Sequence, residues 1–389
     1  MDMNKELENR QQKRSNIDYP DKGQYQVITH LVEAAGYTEE DAAKLKSLLK
    51  QPSDCLRKGG LVAFPTETVY GLGADALNPS AASRIYAAKG RPSDNPLIVH
   101  ISKVEDMENL AYTNELAYTL AQAFWPGPLT MILPKKQIVP NETTGGLDTV
   151  AIRMPAHPAA LELIRQSGVY VAAPSANISG RPSPTKASHV VEDMDGRIEF
   201  IIDGGPVGIG IESTIVDLSV EMPVILRPGF ITRKMLEEMI GEVKMDAALE
   251  KPQEGLPPKA PGMKYTHYAP RGELTLVETK EMDCDELSRE AVAAKICALA
   301  KEKRQKGFLV GIMAAEETLA CYKGKADILV CVGDRKQKNT VAAGLYAALR
   351  EFDAAGADYI YAESFRGEGL SYAIMNRLLK AAGQRVIRI

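Results

Sequence analysis

The sequence lacks several features that define common classes of protein. No apolar run among its 389 residues approaches the roughly 20 residues of a membrane-spanning helix, and the first ten residues contain no apolar signal-peptide core. We therefore expect no membrane association and a cytoplasmic location. The Walker loop, the HExxH helix of zinc proteases and the GxSxG nucleophile turn are also missing, which argues against those three mechanisms.

Cysteine is scarce and is not arranged for metal binding. The five residues Cys55, Cys284, Cys297, Cys321 and Cys331 are odd in number and widely spaced, without a Cys-x-x-Cys pair. This pattern favours reduced thiols over a metal or redox role. We expect the last four to be buried in the core of the C-terminal part.

The sequence has no strong excess of charge of either sign. It contains 47 Lys and Arg residues and 51 Asp and Glu residues, for a net charge of −4. This balance argues against a protein whose whole surface binds nucleic acid, but it is compatible with a local basic groove. With 45% hydrophobic residues over this length, the chain can bury two cores, which predicts two domains.

Residues 59–101 combine strand, loop and helix signals with reactive side chains. The apolar run Leu61–Phe64 predicts a strand that ends at Pro65, because proline has no amide hydrogen to donate to a sheet. Residues 66–73 mix hydroxyls, a carboxylate, an aromatic ring and two glycines. We therefore expect them to form a loop that contacts a ligand.

A helix is predicted from about Pro79 to Lys89. Gly90 can adopt the left-handed conformation that ends a helix, and Pro92 prevents its continuation. Lys89 and Arg91 are therefore placed at the exit of the helix. The alternative interpretation is that both cations only interact with the helix dipole.

Strand and helix patterns alternate over about residues 56–240. The predicted strands cover 61–64, 97–99, 129–133, 150–154, 169–173, 200–202, 214–218 and 224–226, and helices cover 115–124 and about 161–164. Residues 1–50 are interpreted as a charged arm followed by a covering helix, with Val32, Ala35 and Ala43 as candidate contacts.

Beyond residue 272 the alternation is regular, which predicts a small doubly wound parallel sheet. Its strands are predicted over 274–277, 308–312, 328–332, 359–361 and 386–389, with helices over about 286–304, 339–353 and 371–382. Before it, residues 251–272 contain five prolines and could extend to about 70 Å. The cluster 263–268 could form a lid over a site, or the whole segment could be a spacer.

Cations and small polar side chains recur at the predicted strand ends. Such a set suits a polyanion. Each guanidinium group can donate two parallel hydrogen bonds to a phosphate or carboxylate, and hydroxyls can donate to the remaining oxygens. The residues concerned are Lys89, Arg91, Arg153, Arg227, Ser175, Asn177, Ser183 and Ser213. Alternatively, Arg153 and Arg227 are ordinary surface residues, and Ser175 and Asn177 only cap a turn.

Two further features have both a functional and a structural interpretation. The glycine-rich segment 204–210 could hold phosphates against backbone amides, but a simple turn would have the same composition. His100 follows an apolar run, and a single histidine in that position is more often structural than reactive.

Four of these segments together resemble the YrdC-type threonylcarbamoyl-AMP synthases. They are Lys89-Gly90-Arg91, Ser175-Ala176-Asn177, the loop 65–72 and the stretch 213–217. The first two match the Lys-x-Arg and Ser-x-Asn pairs that are the signature of that family. Segments 260–270 and 369–378 are similar to the two-domain branch of the family.

The resemblance implies an α/β fold. A YrdC-like domain with a twisted mixed sheet would be followed by a smaller, doubly wound parallel-sheet domain of Rossmann-like type. The implied divisions are an N-terminal extension over 1–50, a catalytic domain over 51–245, a Pro-rich linker or lid over 246–272 and a C-terminal domain over 273–389. The charged extension is not part of the family pattern.

The resemblance also implies an activity, that of a nucleotidyltransferase. L-threonine, bicarbonate and ATP would give L-threonylcarbamoyl-adenylate and pyrophosphate. Mg²⁺ is expected with ATP, although no carboxylate cluster indicates its ligands. The product would pass to a protein that modifies the adenosine next to the tRNA anticodon, and weak RNA binding would be compatible with this. The alternative is a non-catalytic RNA-binding or regulatory module, which the slight acidity of the chain disfavours.

By resemblance, each motif residue receives a role. Lys89 and Arg91 would be catalytic, with Lys89 stabilising charge on the carbamate or the phosphates. Threonine would be held by Thr68, His100, Arg153, Ala173 and Ser213, with Arg153 pairing with its carboxylate. ATP would be held by Arg91, Asn95, Thr149, Ser175, Asn177, Ser183, Arg227 and Tyr268, the last of these closing over it from the linker.

Overall fold

The computed structural model describes residues 27–249, 260, 268–279 and 286–389. Its first part is built on a mixed sheet of eleven strands in the order β1-β8-β2-β3-β7-β4-β6-β5-β9-β10-β11. The strands are β1 (His30–Glu33), β2 (Val62–Phe64), β3 (Gly71–Asp75), β4 (Ile98–His100), β5 (Leu129–Pro134), β6 (Thr149–Arg153), β7 (Val171–Ala173), β8 (Phe200–Asp203), β9 (Thr214–Asp217), β10 (Val224–Arg227) and β11 (Lys244–Met245).

Helices pack on this sheet and bury its apolar faces. They are α1 (Ala42–Leu48), α2 (Lys50–Arg57), α3 (Pro79–Lys89), α4 (Met107–Leu110), α5 (Glu115–Phe124), α6 (Asn141–Thr144), α7 (Pro158–Ser167), α8 (Ala187–Met194) and α9 (Arg233–Ile240). Helix α3 shows why the local signals work. At the start of the helix, the Asn78 side chain accepts hydrogen bonds from the Ser80 and Ala81 amides. The helix ends at Gly90, which has a φ of 60°.

The second part is a parallel sheet in the order β14-β13-β15-β12-β16. Its strands are β12 (Glu273–Glu278), β13 (Val310–Ala315), β14 (Ile328–Gly333), β15 (Tyr359–Glu363) and β16 (Val386–Arg388), and its helices are α10 (Glu286–Gln305), α11 (Lys338–Ala355) and α12 (Leu370–Ala381). Two α/β units, one mixed and one parallel, confirm the predicted fold class. In the described ranges no helix is long and apolar enough to cross a membrane.

The two parts share a core. Val69 and Ile211 of the first part pack in the same hydrophobic cluster as residues of α11 and α12. Arg350 on α11 donates hydrogen bonds to Asp193 on α8, and Arg377 on α12 reaches Glu212. These buried polar contacts fix the second sheet against the first domain.

The loop expected over 66–73 is shorter than predicted. Gly71–Asp75 forms strand β3, antiparallel to β2. A Cβ atom on Gly73 would lie 2.9 Å from the Phe64 ring and 2.7 Å from the Val171 side chain. The glycine is there because neighbouring strands carry large side chains that approach its backbone, and not to make a flexible loop.

The covering helix predicted before residue 50 is present only as α1, which contains Ala43, and the prediction is wrong for Val32, which lies in strand β1. This strand pairs in parallel with β8 at the edge of the large sheet. The pairing partner is about 170 residues away in sequence, so the local pattern could not reveal it. The domain boundaries proposed above stay predictions, and residues 1–26 lie outside the described part of the chain.

The cysteines are not all in the core, as we had expected. Cys321 and Cys331 are exposed and Cys297 is half-buried. Cys331 lies on β14, the edge strand of the parallel sheet. Cys284 and most of the predicted linker lie outside the described residues.

Candidate active site

A pocket opens across strand β4, beside the ends of strands β2, β6 and β7 and of helix α3. Its walls combine four cations, several hydroxyls and an aromatic ring from the linker. The lining residues are Thr66, Thr68, Val69, Gly71, Lys89, Arg91, Ile98, His100, Arg153, Ala173, Pro174, Ser175, Asn177, Ser179, Gly180, Glu212, Arg227 and Tyr268.

Sheet order explains how distant residues meet there. Strands β4 and β6 are parallel neighbours, with His100 directly opposite Arg153. Strand β7 runs antiparallel beside β4 and leads into Ser175 and Asn177. Side chains that the sequence placed at separate strand ends are therefore brought into one concavity.

Lys89 is the last residue of helix α3, as its spacing predicted, but it is buried and not exposed at the helix exit. Its side chain is only 1% exposed, and its Nζ atom donates to the carbonyl oxygens of Ser175 and Asn177. Burial, followed by the charge of Arg91, lowers the pKa of this amine well below its usual value. The amine thus joins the Lys-x-Arg segment to the Ser-x-Asn segment.

The Ser-x-Asn segment is itself rigidly held. The Ser175 hydroxyl donates to Asn177 Oδ1 at 2.5 Å, and Asn177 Nδ2 donates to the carbonyls of Ile178 and Arg181. The turn-capping interpretation is therefore correct for Asn177. Both residues also line the pocket, so the structural and the binding interpretations do not exclude each other.

Arg153 is not a surface residue, since it is only 4% exposed. Its Nε atom donates to the Gly127 carbonyl at 3.2 Å. Its Nη2 atom lies 2.7 Å from Glu67 Oε1, with the geometry of an ion pair rather than of a directed hydrogen bond. Glu67 is in turn held by the Ala156 amide at 3.1 Å. This orienting carboxylate was not recognised as a site residue in the sequence.

His100 combines a structural and a pocket-lining position. Its Nδ1 atom lies 3.1 Å from the Ile98 carbonyl, and its ring meets Phe64 edge-on at 5.9 Å. Burial, followed by the nearby Arg153 charge, lowers the pKa of His100 to about 3. The imidazole is therefore neutral at physiological pH and cannot supply a positive charge to a substrate.

The shifted pKa of His100 predicts a pH dependence of stability. Because its pKa lies below the unfolded value of about 6.5, the unfolded state binds the extra proton as the pH falls. We expect the free energy of unfolding to drop by about 2 kcal/mol more between pH 7 and pH 5 in the wild type than in His100→Gln. Urea denaturation at both pH values measures this, with the exposed His30→Gln as control. Equal drops for wild type and His100→Gln would contradict the buried, neutral imidazole.

Arg227 in the pocket wall is held by hydrogen bonds to Ser213, which lies behind it. Arg227 donates from Nε to the Ser213 carbonyl and from Nη2 to its hydroxyl, both at 3.0 Å. The Ser213 hydroxyl also lies 2.8 Å from that of Thr130. The Ser213 hydroxyl is therefore already engaged in hydrogen bonds within the protein. Arg227, buried like Arg153, lines the pocket.

Glu212 is the acidic member of the site and was missed as a site residue by the sequence reasoning. It accepts hydrogen bonds from the Ser183 hydroxyl at 2.6 Å, from Tyr346 at 2.9 Å and from Arg377 Nε at 2.8 Å. Burial alone would raise its pKa, but Arg377, followed by Arg227, lowers it to about 2. A charged residue just before a buried strand was the only local signal for it.

The predicted site residues divide into two groups. Those that line the pocket are Thr68, Lys89, Arg91, His100, Arg153, Ala173, Ser175, Asn177, Arg227 and Tyr268. Asn95, Thr149, Ser183 and Ser213 do not line it. Asn95 contributes its backbone carbonyl to Arg91, and Thr149 begins β6 at the opposite end from Arg153.

Most amides of the glycine-rich segment 204–210 are already used within the protein. Those of Gly204, Gly205, Ile209 and Gly210 all donate to acceptors within the protein. The segment is also absent from the pocket wall. The turn interpretation therefore fits and the phosphate-loop interpretation is disfavoured.

The described residues do not form a metal centre. They contain no group of three or more His, Cys, Asp or Glu side chains that could hold a metal ion. The carboxylate in the pocket wall, Glu212, already accepts hydrogen bonds from three donors, which are Ser183, Tyr346 and Arg377. The side chains present therefore do not fit a metal ion bound by the protein alone.

Fold and site together define a class: a two-domain α/β protein with a buried, cation-rich pocket for anionic substrates. Residues 54–229 match a family model described as "Telomere recombination", and residues 231–383 match "Threonylcarbamoyl-AMP synthase, C-terminal domain". The threonylcarbamoyl-AMP synthase of Bacillus subtilis is 52% identical over 342 residues, which cover 87% of this chain and 94% of that protein. The chain belongs to the threonylcarbamoyl-AMP synthase family.

Other relatives agree with this membership. The threonylcarbamoyl-AMP synthase of Pyrococcus abyssi is 49% identical over 335 residues, covering 86% of this chain and 94% of that protein. The crystal structure of P. abyssi Sua5 complexed with L-threonine superposes with a TM-score of 0.83 at 45% identity, covering 92% of this chain and 99% of that chain. The predicted family and the nucleotidyltransferase type of enzyme are confirmed.

Proposed function

We propose that this protein makes L-threonylcarbamoyl-adenylate from L-threonine, bicarbonate and ATP, and releases pyrophosphate. The observation that carries the proposal is the convergence of Lys89, Arg91, Arg153 and Arg227 on one pocket beside Ser175. All three substrates bear negative charge, so a site that brings them together needs several fixed cations.

The chemistry requires alignment more than proton transfer. The threonine amine adds to carbon dioxide derived from bicarbonate, and a carbamate oxygen then attacks the α-phosphate of ATP, with pyrophosphate as the leaving group. Positioning of reactants can contribute about 7 to 11 kcal/mol to such a reaction. Because the His100 imidazole stays neutral, charge stabilisation falls to Lys89 and the three arginines.

We assign the threonine subsite to the side of the pocket formed by β4 and β6. Arg153, oriented by Glu67 and Gly127, would pair with the substrate carboxylate. Thr68, His100 and Ala173 line the pocket as well. Ser213 would act indirectly, by orienting Arg227 through their hydrogen bond, unless its side chain rotates when the substrate binds.

We assign ATP to the side formed by the end of α3, the Ser-x-Asn segment and Arg227. Arg91, Ser175, Asn177 and Arg227 line the pocket, whereas Asn95, Thr149 and Ser183 do not and would act indirectly. Tyr268 supports a lid role for the linker, because it is buried against Tyr346 with ring centroids 5.1 Å apart. The adopted φ of 66° shows that the chain turns sharply there.

Mg²⁺ would arrive with ATP as part of the substrate. Magnesium keeps several waters and commonly binds through substrate phosphates with few protein ligands, which agrees with the absence of an acidic cluster among the described residues. The cytoplasmic location and the transfer of the product to a tRNA-modifying protein stay predictions.

The experiment that tests the function is pyrophosphate release from ATP with threonine and bicarbonate omitted in turn. We expect release only when both are present. Release without threonine, or none at all, would contradict the synthase. In that case the alternative module would be tested by RNA binding, whose log–log salt slope should approach −0.9 per phosphate contacted on a duplex.

A further inference from the structure

The strand order of the second domain indicates where a ligand could bind to it. From β13 the chain crosses to β14 on one side, and from the neighbouring β15 it crosses to β16 on the other. In open parallel sheets, ligands bind beyond the carboxyl ends of strands at such a switch point. The loop that follows β15, residues 364–369, lies at this position and leads into α12.

The side chains of Lys338 and Ser371 pack closely against the bare backbone of Gly367 in this loop. A Cβ atom on Gly367 would lie 3.2 Å from the Nζ atom of Lys338 and 3.3 Å from the Oγ atom of Ser371. Gly367 has φ 142°, and Gly369, which follows, has φ 62°, so both suit glycine. A cation and a hydroxyl therefore approach the same point next to a bare backbone.

Ser371 is the unusual member of this group. It is only 1% exposed, yet its Oγ atom has no hydrogen-bond partner among the described residues. A buried hydroxyl without a partner is costly, so its presence needs an explanation. No ion pair within the described ranges engages Lys338 either, whereas the nearby Arg366 is held by Glu278.

Two helices also begin at these residues. Lys338 begins α11 and Ser371 lies in the first turn of α12, and neither helix has a side-chain cap at its start. The first amides of a helix lack intrahelical acceptors and carry partial positive charge. The partial positive charge of the two uncapped first turns therefore adds to the charge of Lys338. The acidic residue of the loop itself, Glu368, is exposed.

We propose that Lys338, Ser371 and the backbone at Gly367 form a second anion site, which binds a phosphate group. The donors are a lysine amine, a hydroxyl and helix N-terminal amides, the set that phosphate oxygens accept from most readily. The phosphate could belong to inorganic phosphate, pyrophosphate or a nucleotide. This site lies in the second domain, shares no residue with the pocket and does not depend on the proposed function.

The test is calorimetric titration of the full chain with phosphate, pyrophosphate and AMP, each separately. Because the pocket also binds phosphates, the titrations are repeated in Arg91→Ala, which weakens the pocket. We expect at least one of the three ligands to bind Arg91→Ala at one equivalent, and its dissociation constant to rise at least ten-fold when Lys338→Met is added. The ligand with the lowest dissociation constant in Arg91→Ala identifies the source of the phosphate.

Ser371→Ala separates binding from folding. Since its hydroxyl has no partner, we expect the free energy of unfolding to stay the same or rise, while phosphate affinity falls as in Lys338→Met. The exposed Lys336→Met, two residues before Lys338, is the matched control and should bind normally. Absence of any binding in Arg91→Ala, or unchanged affinity in both Lys338→Met and Ser371→Ala, would overturn the proposal.

Discussion

Replacement of Lys89 by methionine is expected to reduce pyrophosphate release by at least about 100-fold, the effect typical of losing one preorganised charge-stabilising donor. In its charged form the amine has three protons, and two of them are used by the carbonyls of Ser175 and Asn177. The third is available to the pocket that Lys89 lines. Methionine keeps much of the side-chain volume but removes both the charge and all three donors.

The burial of Lys89 makes the control important. Loss of the amine also leaves two carbonyls without their donor, so the Ser-x-Asn segment could shift and the melting temperature could fall. Rates are therefore measured at a temperature where circular dichroism shows the variant fully folded. The exposed Lys58→Met is the matched control and should retain wild-type turnover. Turnover of Lys89→Met within three-fold of the wild type would contradict the assignment.

Replacement of Arg377 by methionine is expected to lower the free energy of unfolding by about 3 to 5 kcal/mol, because it leaves a buried carboxylate unpaired. Arg377 is fully buried and donates to Glu212 from Nε and to the Pro228 carbonyl from Nη1, both at 2.8 Å. The Glu212 carboxylate forms part of the pocket wall. Activity is therefore expected to fall with stability, even though Arg377 lies in the second domain.

A double-mutant cycle identifies the origin of this loss. Glu212→Gln removes the charge that Arg377 balances, so the double variant should lose less stability than the sum of the two single variants. The exposed ion pair of Arg233 and Glu237 provides the control, and Arg233→Met should change stability by less than about 1 kcal/mol. Additive losses at Glu212 and Arg377 would show that the two side chains are not coupled.

The pH dependence of the same pair has a defined sign. The pKa of Glu212 is about 2, below its ordinary value near 4.5, so the native state favours the charged form. The resulting stabilisation is complete above about pH 5 and is lost as the pH falls toward 2. In Arg377→Met this acid-dependent part of the stability curve should be reduced.

These contacts indicate what the second domain contributes to the pocket. Tyr346 and Arg377 come from α11 and α12, and both bond Glu212. Tyr346 also packs against Tyr268 of the linker. The second domain therefore supplies no described lining residue of the pocket, but it holds two of the residues that do line it.

Local chemistry in the sequence determined much of this protein. Pro65 ended a strand, Gly90 ended a helix in the left-handed conformation, and the Lys-x-Arg and Ser-x-Asn pairs identified the family. The regular alternation after residue 272 predicted the parallel sheet. Such signals act within a few residues, where proline, glycine and hydrophobic period directly restrict the backbone.

Only the tertiary structure decided which of these residues meet. The burial of Lys89 depends on Ser175, 86 residues away, and the charge of Glu212 depends on Arg377, 165 residues away. The strand that contains Val32 exists because it pairs with β8, and exposure of Cys331 follows from the edge position of β14. Strand order and domain packing determine these partners. The charge and the role of a side chain depend on such partners, and the neighbouring residues in the sequence do not specify them.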